Sequence, residues 1–155
     1  MHRTSAGILF YRLQQNKLQV LLVHPGGPYW VKKDAGAWSV PKGEAGADEQ
    51  LLEAAIRETE EETGIKAQGE FIALTPVKQK SGKIIYAWGL QDSFDASVIK
   101  SNAFEIEWPP KSGKKKLFPE IDKAAWFSIE EAKNKINAGQ ISLVTELESL
   151  VNRKQ

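Results

Sequence analysis

The stretch from Glu49 to Thr63 constrains the fold more than any other part of the chain. It is built of strong helix formers and is closed by Gly64, placed where a left-handed C-cap belongs. Asp48 precedes it as a good N-cap, so the pattern predicts a helix starting there. On a wheel of 100° per residue, Leu52, Ala55, Ile56, Thr59 and Thr63 fall within about 60° to 160° of Glu58. A face that narrow suits packing on a sheet.

The strands for such a sheet are legible on both sides. Residues 6–11 and 18–24 are short apolar, β-branched runs around the polar Gln14-Gln15-Asn16-Lys17, which reads as a hairpin. Pro25-Gly26-Gly27-Pro28 breaks the second run, and the stretch to Ala37 has no period and reads as an exposed loop. Trp38-Ser39-Val40 is a short strand candidate ending at Pro41, followed by a turn over Lys42-Gly43-Glu44-Ala45-Gly46. Phe71 to Val77 and Lys83 to Leu90 read as strands, with Ala124 to Phe127 as a later one. Ile129 to Ala138 and Leu143 to Asn152 read as helices. Strands and helices intermingle, so the expected class is α/β (α+β), with helices packed on a mixed sheet.

Residues 1–155 fit one domain with a real core. Twenty-one basic against 20 acidic residues give a net charge of +1, which argues against a general polyanion-binding surface and makes any phosphate recognition local. The chain has no cysteine, which excludes disulfides, thiolate nucleophiles and cysteine metal sites and favours an intracellular, cytoplasmic setting. The N-terminus has too short an apolar run for a signal peptide, and no run approaches the ~20 residues of a membrane-spanning helix. No membrane partner is expected.

The same helix carries the candidate chemistry. Relative to Glu58, Glu61 falls at about 300° and Glu62 at about 40°, so three carboxylates share one stripe, while Glu53 and Glu60 point away. Like charges so placed repel, at a few tenths of a kcal/mol per pair. Arg57 can pair with Glu61 one turn on, but one cation does not balance the cluster. A hard divalent cation, Mg²⁺ or Mn²⁺, prefers such oxygen ligands. Glutamate-rich helices are commonly just solvated faces, so the neighbours decide.

Those neighbours are Gly43, five residues, Glu49, seven residues, then Arg57-Glu58-Thr59-Glu60-Glu61-Glu62-Thr63-Gly64-Ile65. This 23-residue pattern resembles the signature box of Nudix hydrolases. Its seven fixed letters are all present, a coincidence on the order of one in a million at this composition. Thr59 departs from the pattern, standing where an aliphatic residue is usual, which bears on packing more than on chemistry.

The resemblance implies an α/β/α sandwich with a mixed, partly antiparallel sheet, and a pyrophosphohydrolase that uses divalent ions. It implies that Glu58, Glu61 and Glu62 bind metal, that the Lys42 carbonyl adds a ligand, and that Arg57 orients a box glutamate. Glu49 is expected in a supporting role. A further acidic ligand from a loop before a late strand is implied, for which Glu120 fits and Asp122 competes; Glu105 and Glu107 alternate with Ile106 like solvent-facing strand positions. Glu61 or Glu62 is the expected base toward water.

For the substrate, Tyr29, Trp30 and Trp108 lie in loops where a purine base can stack, whereas Trp38, Trp88 and Trp126 read as packing residues in strands. Lys42, Lys111, Lys114, Lys115 and Lys116 are candidates to grip phosphate, the last four in a basic Pro/Gly loop over 108–116. His2 and His24 show no metal-ligand spacing and no catalytic role is expected of them. The expected substrate is a small nucleotide, a dinucleoside polyphosphate or nucleoside triphosphate first. An RNA 5′ pyrophosphohydrolase and a non-catalytic nucleotide sensor are the alternatives.

Overall fold

The computed structural model describes residues 3–153, so His2 lies outside the described residues. The central element is β1 (Thr4–Gln14), whose run of buried side chains from Ser5 to Tyr11 marks a strand covered on both faces. It pairs antiparallel with β2 (Lys17–Pro25) across Gln15 and Asn16, both at positive φ, which is the twist a two-residue hairpin needs. It pairs in parallel with β6 (Ile84–Gln91) and antiparallel with β3 (Lys42–Glu44). The short β4 (Ile72–Ala73) and β5 (Val77–Lys78) flank β6, and β9 (Ile121–Ser128) flanks β2. The sheet is therefore mixed, in the order β4-β6-β1-β2-β9.

Alternation along β1 divides the core in two. Ala6, Ile8 and Phe10 face Ala54 and Ala55 of α1 (Leu51–Thr63). Leu9 and Tyr11 face the other way, in a cluster with Ile129 and Ala132 of α2 (Ile129–Lys135) and Leu143 and Leu147 of α3 (Ile141–Arg153). The sandwich has α1 on one side and α2 with α3 on the other. A separate hairpin of β7 (Ala103–Glu107) and β8 (Lys115–Pro119) precedes β9.

Several boundaries differ from the sequence reading. The helix starts at Leu51 and not at Asp48; its N-cap is Gln50, without a side-chain cap, because Glu49 is drawn back to the Gly46 N–H and to Arg57. The expected turn over 42–46 begins as a strand, since β3 completes the edge of β1 next to Gly7. Trp38 and Ser39 form isolated bridges to Ile136 and Val23 in place of a strand. The run from Phe71 splits into β4 and β5 around Pro76, which has no N–H for a ladder. Lys115 and Lys116, expected in a loop, sit in β8 opposite Glu107 and Ile106.

Candidate active site

Beneath α1, the strand–turn–helix unit from β3 onward brings the box residues together. A Cβ on Gly43 would lie 1.9 Å from Glu58 Oε2, so only glycine lets the carboxylate lie flat on the β3 backbone. Glu62 folds down to the same strand, where its Oε1 accepts a hydrogen bond from the Lys42 N–H at 3.2 Å. Ala54, on the carboxylate side of the wheel, is fully buried where α1 meets β1 and β3, while Glu61, further along the same side, reaches solvent.

Arg57 organises the rest. Its Nε and Nη2 donate to the two oxygens of Glu49 at 2.7 and 2.8 Å, a bidentate pair. Its Nη1 donates to Glu58 Oε1 at 2.9 Å and, more loosely, to Glu61 Oε1 at 3.3 Å. The expected Arg57–Glu61 pairing is therefore present as the weakest of three. The strongest, to Glu49, escaped a helical wheel because Glu49 precedes the helix. Hydrogen bonding to Arg57 and to Gly46 holds the Glu49 carboxyl down at about 2.

Glu62, like Glu58, is half-buried, whereas Glu61 is exposed. Burial pushes the Glu62 carboxyl up to about 7; the Lys42 N–H and ammonium act against this, and the charges of Glu120 and Glu58 add to it. Glu120 is also raised, by burial and then by Glu58 and Glu61, so the four carboxylates share one electrostatic neighbourhood. Burial, with Lys83 nearby, pulls the Lys42 ammonium below its ordinary value, against Glu62 and Glu44. A set of hard oxygens this crowded and this poorly neutralised fits a divalent cation. As they stand, no three acidic or imidazole groups among the described residues enclose an ion, since Arg57 draws Glu58 and Glu61 while Glu62 turns to the Lys42 N–H.

A cavity of about 290 Å³ opens beside this cluster and is lined by Lys42, Glu62, Glu120, Trp30, Trp38 and Gln140, among others. A second, of about 790 Å³, lies between the 26–37 loop and the β7–β8 hairpin, with Tyr29, Val31, Lys33, Trp108, Phe118 and Asp122 on its walls. Tyr29 and Trp108 meet edge to face there, with centroids 5.5 Å apart. The structure thus places Trp30 in one cavity and Trp108 in the other. Lys111 lines neither; it sits at the hairpin tip, with its N–H bonded to Glu107. Asp122, the competitor of Glu120, has its Oδ1 on His24 Nδ1 at 2.8 Å.

Of the other tryptophans, Trp38 is buried, and Trp88 and Trp126 are half-buried. Sequence reasoning missed Gln79, Asn137 and Gln140 on the cavity wall. Gln140, almost fully buried, accepts the Val40 N–H at 3.0 Å and so shapes the wall from the far end of the chain. No local pattern marks such a residue, because its partner is remote in sequence.

A family model described as the NUDIX domain matches residues 1–147. Nudix hydrolase 6 of Arabidopsis thaliana is 30% identical over 133 residues, which is 86% of this chain and 41% of that protein. The chloroplastic Nudix hydrolase 21 of the same plant is 30% identical over an alignment of 158 residues, covering 99% of this chain and 68% of its own length. The chain thus spans about two fifths of the first relative and two thirds of the second. Among solved structures, a Caenorhabditis elegans Ap4A hydrolase in a binary complex superposes with a TM-score of 0.65 at 23% identity, over 96% of this chain and 98% of that one. The NUDIX domain of Shewanella oneidensis NrtR with ADP-ribose gives 0.64 at 14% identity, over 97% and 89%. Likenesses at these identities show the fold.

Proposed function

The chain belongs to the Nudix family, and from that premise we propose that it hydrolyses a phosphoanhydride bond in a nucleoside diphosphate linked to another moiety. Divalent cations, Mg²⁺ or Mn²⁺, are held in this reading by Glu58, Glu61, Glu62 and Glu120, with the Lys42 carbonyl. The observation that carries it is the half-buried Glu62 facing Glu120 and Lys42 across one cavity, with the Arg57 network behind it. When bound, the cations neutralise phosphate oxygens, acidify a water and stabilise the leaving group.

The chain's own residues do the rest. Arg57, fixed by Glu49, sets the directions of Glu58 and Glu61. Lys42 lines the cavity, and its ammonium is the contact for incoming phosphate in this reading. In this reading Glu61 or Glu62 takes the water's proton. Trp30 in the first cavity and Trp108 in the second are the base-stacking candidates, and Lys111 is a reserve contact for a long phosphate chain. Dinucleoside polyphosphates and nucleoside triphosphates head the substrate class. No helix among the described residues is long and apolar enough to cross a membrane, and a cytoplasmic setting belongs to the proposal.

The test is a panel of dinucleoside polyphosphates, nucleoside triphosphates, nucleotide sugars and capped RNA with Mg²⁺ or Mn²⁺. Glu61→Gln and Glu62→Gln are each expected to lower turnover at least ~100-fold, as on removal of a metal ligand or base. Full activity in both variants would refute the assignment. Absence of turnover on the whole panel would favour a nucleotide sensor.

A further inference from the structure

We infer that His24 is a positioning residue, which holds the 26–37 loop in the conformation that presents Tyr29 and Trp30 to substrate. The inference rests on the hydrolase reading above for its kinetic consequence, but not for its structural one. His24 lies near the end of β2 and is completely buried. Its Nδ1 is 2.8 Å from Asp122 Oδ1 on β9, and its Nε2 is 2.6 Å from the Lys33 carbonyl oxygen in the loop.

The chemistry of the partners defines the role. A carbonyl oxygen only accepts, so Nε2 carries a hydrogen and donates it to Lys33; Nδ1 shares one hydrogen with the Asp122 carboxyl. Neither nitrogen is left for a metal or for proton transfer. A buried polar ring is costly unless satisfied, and here both bonds leave β2, one for the loop and one for the strand after Glu120. An aliphatic side chain of similar bulk would fill the space but make neither link.

Neighbouring ties support the same loop. Trp38 packs edge-on to the imidazole at 5.2 Å, and its Nε1 donates to Asp34 Oδ1 at 2.8 Å; Asp34 also pairs with Lys135. At the other end, the Gly26 N–H donates to the Glu120 carbonyl at 2.8 Å, with the glycine backbone against Pro119. Between the ties at Gly26 and Lys33 lie Tyr29 and Trp30, both exposed and each on the wall of a different cavity. Substrate therefore meets aromatic rings whose backbone is already ordered, and part of the entropy of binding is spent in folding.

Two substitutions separate the two links. The amide nitrogen of His24→Gln reaches where Nε2 stands and keeps the tie to Lys33. His24→Asn reaches only where Nδ1 stands and keeps the tie to Asp122. With a dinucleoside polyphosphate as probe, Asn is expected to raise KM about 10-fold while kcat falls less, and Gln to keep KM within about two-fold of the parent, as expected for loss or retention of positioning. Hydrogen–deuterium exchange over residues 26–37, which needs no substrate, is expected to speed up in Asn and not in Gln. Equal exchange and equal KM in the two variants would overturn the inference, as would kcat falling with unchanged KM. If the parent protein turns over no phosphoanhydride, the hydrolase reading fails and the exchange comparison still decides the role of His24.

Discussion

Thr59 lies on the core side of α1, is fully buried, and has no hydrogen-bond partner for its Oγ1. It occupies the one position where the chain departs from the family pattern by carrying a hydroxyl in place of an aliphatic group. A buried unpaired hydroxyl is destabilising, and removing it at constant shape recovers the loss. Thr59→Val is expected to stabilise the fold by about 1 kcal/mol, raising Tm by about 2–4 °C for a chain of this size, as read by calorimetry. Gly43 is the opposite case, a residue whose lack of a side chain is what the site uses. Its place in the box was legible, but the carboxylate that lies against it was not, because that contact needs the helix folded back on β3. His24 shows the same limit: nothing beside it in sequence announces Asp122 or the Lys33 carbonyl.

At the scale of elements, α1 and the turn before it are joined by the Glu49–Arg57 pair. The folded protein holds the Glu49 carboxyl at about 2, below its ordinary 4.5. A carboxyl lowered by folding adds stability that is present above its unfolded value and is lost as pH falls through the folded one. The Tm difference between the parent and Glu49→Gln is therefore expected to be largest near neutral pH and to shrink as pH falls from about 4.5 toward about 2. A difference that stays constant over that range would contradict the pair's role. The helix end was legible because Gly64 adopts the left-handed conformation at φ 79°. Its start was not, since Asp48 offers a good cap that the stronger Glu49–Arg57 link overrides. The β8 strand was hidden by its lysines, which read as a solvated loop until Ala103–Glu107 supplies a partner.

For the whole molecule, the mixed α/β/α class followed from intermingled elements, but strand order did not, because the parallel pairing of β1 with β6 joins segments about half the chain apart. The two cores it creates have different tasks: one seats α1 with its carboxylates, the other anchors α3. Leu147, fully buried and against Gly89, ties α3 to the sheet. Leu147→Ala is expected to cost about 2–5 kcal/mol in urea unfolding, as for other deep leucines. The central claim is that the molecule assembles an oxygen-rich cation site on α1, and calorimetric titration with Mn²⁺ tests it without any substrate. The parent protein is expected to bind the ion, and the Glu58→Gln, Glu62→Gln double variant to bind at least ~10-fold more weakly, in line with the loss of hard ligands. Equal affinity in the two proteins would contradict the account.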